Sequence, residues 1–433
     1  MKRTIIQQLI KWKNSTTRKP LILNGARQVG KTYILNVFGQ MYYKNVAYIN
    51  LDKDKQAVSI WNKDYDVERI ILSLSALLNV NIKAEETLII LDEIQDCPNA
   101  LSSLKYFCED APNYHVVVAG SLLGLSLHEG VSFPVGKVDM LRMFPMTFGE
   151  FLMAIDEERM ADMLMGNDQQ LIDTLGEKYK HLLRQYYYTG GMPAAVKEYV
   201  STRDLQKVRE IQKQILFDYR RDFSKHAPAN QVPRINMVWD SIPSQLAKEN
   251  RKFIYGAIKK GARAAEFEMS IQWLIDAGLV YRIPRITAAR MPLKFYEDRN
   301  VFKLFMLDVG LMGAMVDMPA SDALVNDKAI VEYKGAFTEL YVLTQIMPMD
   351  VPTYYYSSND STVEIDFIVQ QEERIIPIEV KAEVKVKAKA LRLFIEDNPS
   401  LHGLRLSMLG YQEQDWVVNK PLYAPETWLK QTT

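Results

Sequence analysis

Cysteine is nearly absent: Cys97 and Cys108 are the two in 433 residues. Two thiols exclude a disulfide framework and a four-cysteine zinc site, and they fit a reducing cytoplasm. Histidine is scarce as well. The five histidines, His115, His128 and His226 among them, show no metal-ligand spacing, and no Ser–His–Asp arrangement emerges. Neither sign of charge is in excess, with 53 Lys and Arg against 53 Asp and Glu. Any nucleic-acid surface therefore has to be a local patch. No apolar run approaches the ~18–20 residues that span a bilayer. The opening MKRTIIQQLIKWKN lacks the continuous apolar stretch of a secretion signal. It reads as an amphipathic helix, with Ile5, Ile6, Leu9, Ile10 and Trp12 packing on the first domain. What remains is an ordinary globular composition, 48% hydrophobic and 24% charged, in a chain long enough for several domains.

Residues 21–32, LILNGARQVGKT, are the strongest signal. An apolar strand stops at Asn24, Gly25-x-x-x-x-Gly30-Lys31-Thr32 follows, and Tyr33–Phe38 starts a helix. Gly25 and Gly30 take backbone angles closed to other residues. The N–H groups of the loop, Gln28 and Val29 included, can then turn inward around phosphate oxygens at a helix N-terminus. Lys31 would reach the β- and γ-phosphates of ATP, and Thr32 would offer its hydroxyl to Mg²⁺. The expected partner is an apolar strand ending in carboxylates, and Leu88–Leu91 runs into Asp92 and Glu93. Asp92 would hold the magnesium and Glu93 would polarise the attacking water. A further buried strand, Val116–Ala119, leads through Gly120 to Ser121, whose hydroxyl would bond that water or the γ-phosphate.

Strand candidates Leu21–Leu23, Val46–Leu51, Leu88–Leu91 and Val116–Ala119 alternate with helical patterns such as Val67–Leu78 and Ala100–Cys108. Alternation of this kind implies a parallel sheet covered on both faces. The nucleotide domain is expected over residues 1–150, ending in LRMFPMTFGEF. A helical lid follows over 151–225, interrupted by a sharp turn at Gly190-Gly191-Met192-Pro193. Residues 226–316 read as a winged-helix-like region, or equally as a plain helical connector with a hairpin: short helices, including Ala264–Ala277 with Gly278 as its C-cap, then a ribbon of Leu279–Ile283 and Leu293–Tyr296. Residues 317–328 look like a linker. The last block, 329–433, has a helix at Ala336–Ile346 and strands at Thr353–Ser357, Val363–Val369 and Ile375–Val380. The tyrosines 354–356 read as strand packing.

GARQVGKT, LDEIQ, VVAGS, the segment Phe144–Phe151 and Gly190–Pro193 together resemble a bacterial and archaeal family of AAA+-type ATP-binding proteins with an uncharacterised C-terminal domain. Ile242–Asn250, Trp273–Val280 and Leu307–Leu311 extend the resemblance over nearly the whole chain. It implies an α/β P-loop NTPase core with the sensor strand between the loop strand and the acidic strand. Relatives usually carry Gly-Arg where this chain has Gly136-Lys137. That arginine is a candidate finger, and Lys offers phosphate only a point charge. Arg142, nearby, is a possible substitute, as is an arginine from a protein partner or a second copy. Without a finger the rate falls roughly 10³–10⁵-fold, so slow or conditional hydrolysis is expected.

Near the C-terminus, Val363–Val369 alternates apolar and acidic residues, with Glu364 and Asp366 on one face. In Ile376–Lys381, Glu379 and Lys381 share a face. Paired strands would bring Asp366 and Glu379 together on a divalent metal, with Lys381 beside its water and Glu339 completing the site. The pattern resembles restriction-endonuclease-like (PD-(D/E)xK) nucleases. It implies a C-terminal α/β domain of that kind acting on DNA, or holding DNA or a protein without cutting. Lys385, Lys387, Lys389 and Arg392 would contact a phosphate backbone or form a solvated face.

Overall fold

Short apolar runs separated by helices have to be buried on both sides, because nothing in their sequence marks a wet face. The computed structural model describes residues 1–120, 133–248, 251–320, 331–358, 362–382 and 388–430. The chain divides into two units: Arg3–Phe144 with Asp276–Gly278, and Met1–Lys2, Pro145–Ile275 and Leu279–Thr433.

The first unit is built on strands β1 (Leu21–Asn24), β2 (Asn45–Asn50), β3 (Thr87–Asp92), β4 (His115–Ala119) and β5 (Asp139–Arg142). They pair in parallel in the order β2-β3-β4-β1-β5. Strand β4 therefore lies between the loop strand and the acidic strand, as the resemblance implies. Every residue of β3 and β4 is buried, which is why both read as continuous apolar runs. The helices Val67–Leu78 and Pro98–Asp110 supply Ile70, Leu74, Leu101, Leu104 and Phe107 to a core with Ile22, Ile89 and Val118. Asp66 caps the first of them by accepting from the Arg69 N–H at 2.7 Å. Strand β5 escaped the sequence reading because four residues of mixed character, Asp-Met-Leu-Arg, carry no period.

The second unit begins with helices. Their packing gathers the segments that carry the family resemblance. Asp308, buried, accepts from the Gly191 N–H at 2.6 Å and the Leu311 N–H at 2.9 Å. Gly190 has φ 69°, and a Cβ there would lie 2.3 Å from Asp308 Oδ1. Met146 N–H donates to Gly191 O at 2.7 Å, and Tyr186 OH donates to Met146 O at 2.6 Å. The Phe144–Phe151, Gly190–Pro193 and Leu307–Leu311 stretches are thus one structural knot.

A mixed sheet follows, built from β6 (Val280–Ile286), β7 (Glu297–Met306), β8 (Thr353–Ser357), β9 (Glu364–Gln371), β10 (Arg374–Val380), β11 (Gly403–Ser407), β12 (Gln412–Gln414) and β13 (Val417–Pro421). Its order is β12-β13-β11-β10-β9-β8-β6-β7. The ribbon expected of a winged-helix-like region does form, but β6 pairs in parallel with β8, so it continues the C-terminal sheet. Its second strand is Glu297–Met306. Leu293–Tyr296 is a 3₁₀ turn, with the Leu293 N–H held by Gln370 Oε1 at 3.0 Å instead of a ladder partner. Tyr354 and Tyr355 of β8 are buried. No helix among the described residues is long and apolar enough to cross a membrane.

Candidate functional site

The loop after β1 has the backbone the glycines foretell. Gly30 has φ 96° and precedes the helix Lys31–Tyr42. Gln28 is also left-handed at φ 66°. Gly25 lies against β5: a Cβ there would sit 2.3 Å from the Met143 carbonyl oxygen. Its N–H is held by Asn24 Oδ1 at 2.7 Å. Arg3 fixes the loop from the side, its buried guanidinium donating to Val29 O at 2.9 Å and Phe144 O at 2.6 Å. Sequence reasoning missed this arginine. Its one signal is a lone basic residue before an amphipathic helix, which equally describes a solvated end.

Lys31 Nζ donates to the Gly25 and Ala26 carbonyls, both at 2.8 Å. Burial pulls its pKa down to about 8, against the opposing pull of Glu93 and Asp92. Thr32 Oγ1 donates to Asp92 Oδ2 at 2.8 Å, and Tyr48 OH donates to the same oxygen at 2.9 Å. Burial, then this bond, pushes the Tyr48 hydroxyl up to about 12. Asp92 is 4% exposed. Glu93 turns away through a left-handed φ of 53°, and Gln95 Nε2 donates to its Oε2 at 2.7 Å. The two acids leave β3 in different directions, as separate tasks require. A hydroxyl beside a carboxylate is a hard-oxygen pair suited to Mg²⁺, and a buried ammonium resting on carbonyls alone is suited to phosphate. Ser121 lies outside the described residues.

Lys137 forms an ion pair with Glu109 at 2.8 Å, away from any finger role within its own chain. Arg142 pairs in register with Asn24, so it stands at the same end of the sheet as the loop, exposed, its guanidinium 5.2 Å from the Phe144 ring.

In the second unit, β9 and β10 are antiparallel, with Phe367 opposite Ile378. The next step along that ladder sets Asp366 opposite Glu379, and Glu379 is in turn paired with Arg405 of β11. Asp366 Oδ2 accepts from the Val380 N–H at 2.8 Å, and Lys381 Nζ lies 2.6 Å from Glu379 Oε1. Glu339, on the helix Val331–Ile346, is buried and paired with Arg251, whose guanidinium also lies 3.8 Å from Asp366 Oδ1. Lys303 of β7, with no exposed surface, lies 2.6 Å from Glu364 Oε1 and 3.7 Å from Glu339 Oε2. Burial raises the pKa of Glu379, with Lys381 opposing and Asp366 adding to it; burial likewise raises that of Glu364. The four acids do share one face. Yet Arg251 and Lys303, neither of them anticipated, lie among them, and no group of three acidic, histidine or cysteine side chains is arranged to hold a metal among the described residues. Lys385 and Lys387 lie outside the described residues. Arg392 pairs with Glu396 at 3.0 Å on a helix surface.

Residues 17–152 match the family model of an AAA domain. Residues 180–322 and 334–420 match two domains of unknown function. No curated protein matches the chain. Among solved structures, the Aeropyrum pernix ORC1 protein in complex with DNA is 15% identical, over 74% of this chain and 92% of its own, with a TM-score of 0.28. A Thermotoga maritima RuvB variant is 15% identical over 65% and 89%, at 0.30. AMPPCP-bound DnaA from Aquifex aeolicus is 11% identical over 63% and 86%, at 0.27. Loop geometry, acidic strand and strand order describe an α/β parallel sheet with a phosphate-loop backbone in the first unit, and residues 17–152, which make up most of it, are similar to the AAA domain.

Proposed function

We propose that the chain binds ATP with Mg²⁺ at the loop after β1 and hydrolyses it slowly or conditionally, its nucleotide state controlling what the second unit does. The observation that carries this reading is the pairing of a buried Lys31 with the Thr32–Asp92 contact at 2.8 Å. Gly25, Gln28, Val29 and Gly30 supply the backbone, Lys31 the charge, and Thr32 with Asp92 the metal ligands. Glu93 is the group to polarise water, and Ser121 the hydroxyl to position it. Bound magnesium would neutralise charge on the β- and γ-phosphates. Lys137 pairs with Glu109 on the surface, and the finger is assigned to Arg142, to a protein partner or to a second copy. Isothermal titration with MgATP tests the site: binding is expected in the wild type and lost in Lys31→Ala. Turnover faster than about 1 per second by the isolated chain would contradict the missing finger, which accounts for ~10³–10⁵ in rate.

For the second unit the reading is a nuclease-like surface that acts on DNA, with Asp366, Glu379, Lys381 and Glu339 as its chemical groups. A second reading, a surface that holds DNA or a protein without cutting it, is favoured by Arg251 on Glu339 and Asp366. An internal cation there does the charge balancing that a metal would do. Supercoiled DNA incubated with Mg²⁺, with and without ATP, separates the two. Nicking lost in Asp366→Ala supports cleavage; binding without nicking supports the holding role.

A further inference from the structure

The second unit has a cavity of about 350 Å³ whose lining includes Arg374, His402, Lys420 and Lys430. Its floor is apolar, from Ile376, Leu404, Val418 and Trp428. It opens where β10 begins. The carboxylate cluster sits where β10 ends, five residues on, which is roughly 17 Å away along an extended strand.

Three features set this cavity apart. First, the cations are unbalanced. Arg374, Lys420 and Lys430 make no ion pair among the described residues, Lys430 Nζ donating instead to Met165 O at 2.9 Å, and Glu373 is the one carboxylate in the described lining. Second, Lys420 is 4% exposed, although an ammonium is seldom buried without a carboxylate. Its Nζ donates to Thr427 O at 2.6 Å and Lys430 O at 2.8 Å, which uses two of its three N–H bonds. Third, the cations repel one another. Lys420 is pulled down to about 8 by burial and then by Arg374 and Lys430. Holding like charges together over an apolar floor is unfavourable unless a counter-charge enters, and an anion would relieve the repulsion. Arg374 is also held in place, donating to Gln371 Oε1 at 2.7 Å, which leaves the rest of its fork available.

We propose that this cavity is a binding site for a phosphoryl group, held by Arg374, Lys420 and Lys430. It does not depend on the reading of the carboxylate cluster. The phosphoryl group can belong to a small phosphorylated molecule or to the end of a nucleic-acid strand, and the two share the same recognition.

The test uses the full chain carrying Lys31→Ala, so that the loop after β1 does not compete. Inorganic phosphate, and separately a single-stranded DNA 12-mer with a 5′-phosphate or a 5′-hydroxyl, are titrated calorimetrically at constant ionic strength. Binding of at least one phosphorylated probe is expected. It should weaken at least tenfold in Arg374→Ala/Lys430→Ala, whose changes fall on partly exposed and exposed side chains and leave the buried Lys420 in place. A preference for the 5′-phosphorylated strand over the hydroxyl-ended one assigns the site to nucleic-acid ends. Binding of inorganic phosphate alone assigns it to small phosphoanions. No binding of either probe, or equal binding by the double variant shown by its unfolding curve to be folded, overturns the proposal.

Discussion

If Lys31 meets the phosphate as proposed, it couples nucleotide affinity to pH in a direction that can be worked out. Its ammonium sits in a pocket of low dielectric, with a pKa of about 8 before any phosphate arrives. A phosphate stabilises the charged form, so its arrival raises that pKa. Below pH 8 the proton is already in place; above it, binding has to take one up. MgATP affinity is therefore expected to fall about tenfold between pH 7 and pH 9, the deficit of one unit beyond the pKa. Calorimetry in buffers of different ionisation enthalpy should show proton uptake at pH 9 and little at pH 7. A flat profile would mean that Lys31 does not meet the phosphate. Tyr48 and Arg3 make narrower claims. Tyr48→Phe removes one of two donors to Asp92 Oδ2 and should cost about 1 kcal/mol of stability. Arg3→Ala strips charged donors from the Val29 and Phe144 carbonyls and should cost about 3 kcal/mol. Urea unfolding measures both.

At the scale of elements, legibility followed periodicity and turn chemistry. The loop, β1, β3 and β4 were readable because continuous apolar runs end in Gly25, Asp92 and Gly120, and residue types there are dictated by backbone and charge. The helix Val67–Leu78 was readable to the residue from its apolar spacing. Strand β7 was not, because Val301–Met306 is an apolar run with Lys303 inside it. Such a run fits a helix as well as a strand until its neighbours are known. The parallel pairing of β6 with β8 joins residues some 70 apart, and no local signal carries that. The same holds for the carboxylate cluster. The acids were visible by alternation, but their cations come from a distant strand and from Arg251. A consequence can be measured. Arg251→Ala leaves the buried Glu339 with only Lys303 at 3.7 Å, and should lower stability by about 3 kcal/mol. If the cluster retains the capacity to bind a divalent ion, millimolar Mn²⁺ should restore part of that stability in Arg251→Ala and do nothing for the wild type. No rescue by any divalent ion would leave the four acids as a purely structural network.

For the molecule as a whole, two units imply two cooperative transitions on heating, and each carries its own handle. The handle on the second unit is Glu426. Burial, with Glu150 adding and Lys430 opposing, raises its carboxyl to about 7, and its Oε2 has no hydrogen-bond partner among the described residues. Its folded pKa lies above the unfolded value, so the neutral form favours folding. The stability it confers is complete below about pH 4.5 and is lost as pH rises through 7. The loss should amount to roughly 3 kcal/mol. Glu426→Gln should flatten that part of the profile, and it should do so in one transition only. On the proposed reading the handle on the first unit is MgATP, which at a hundred times its dissociation constant would stabilise its own unit by about 2.7 kcal/mol. Lys31→Ala should abolish that gain. A nucleotide switch requires more than this, because a ligand shifts another equilibrium only through differential affinity for its states. If ATP governs the second unit, MgATP should also move the transition that Glu426→Gln marks, and differential scanning calorimetry resolves the two. Should only the unmarked transition move, nucleotide binding and the C-terminal sheet are independent properties of one chain, and the switch reading fails while the nucleotide site stands.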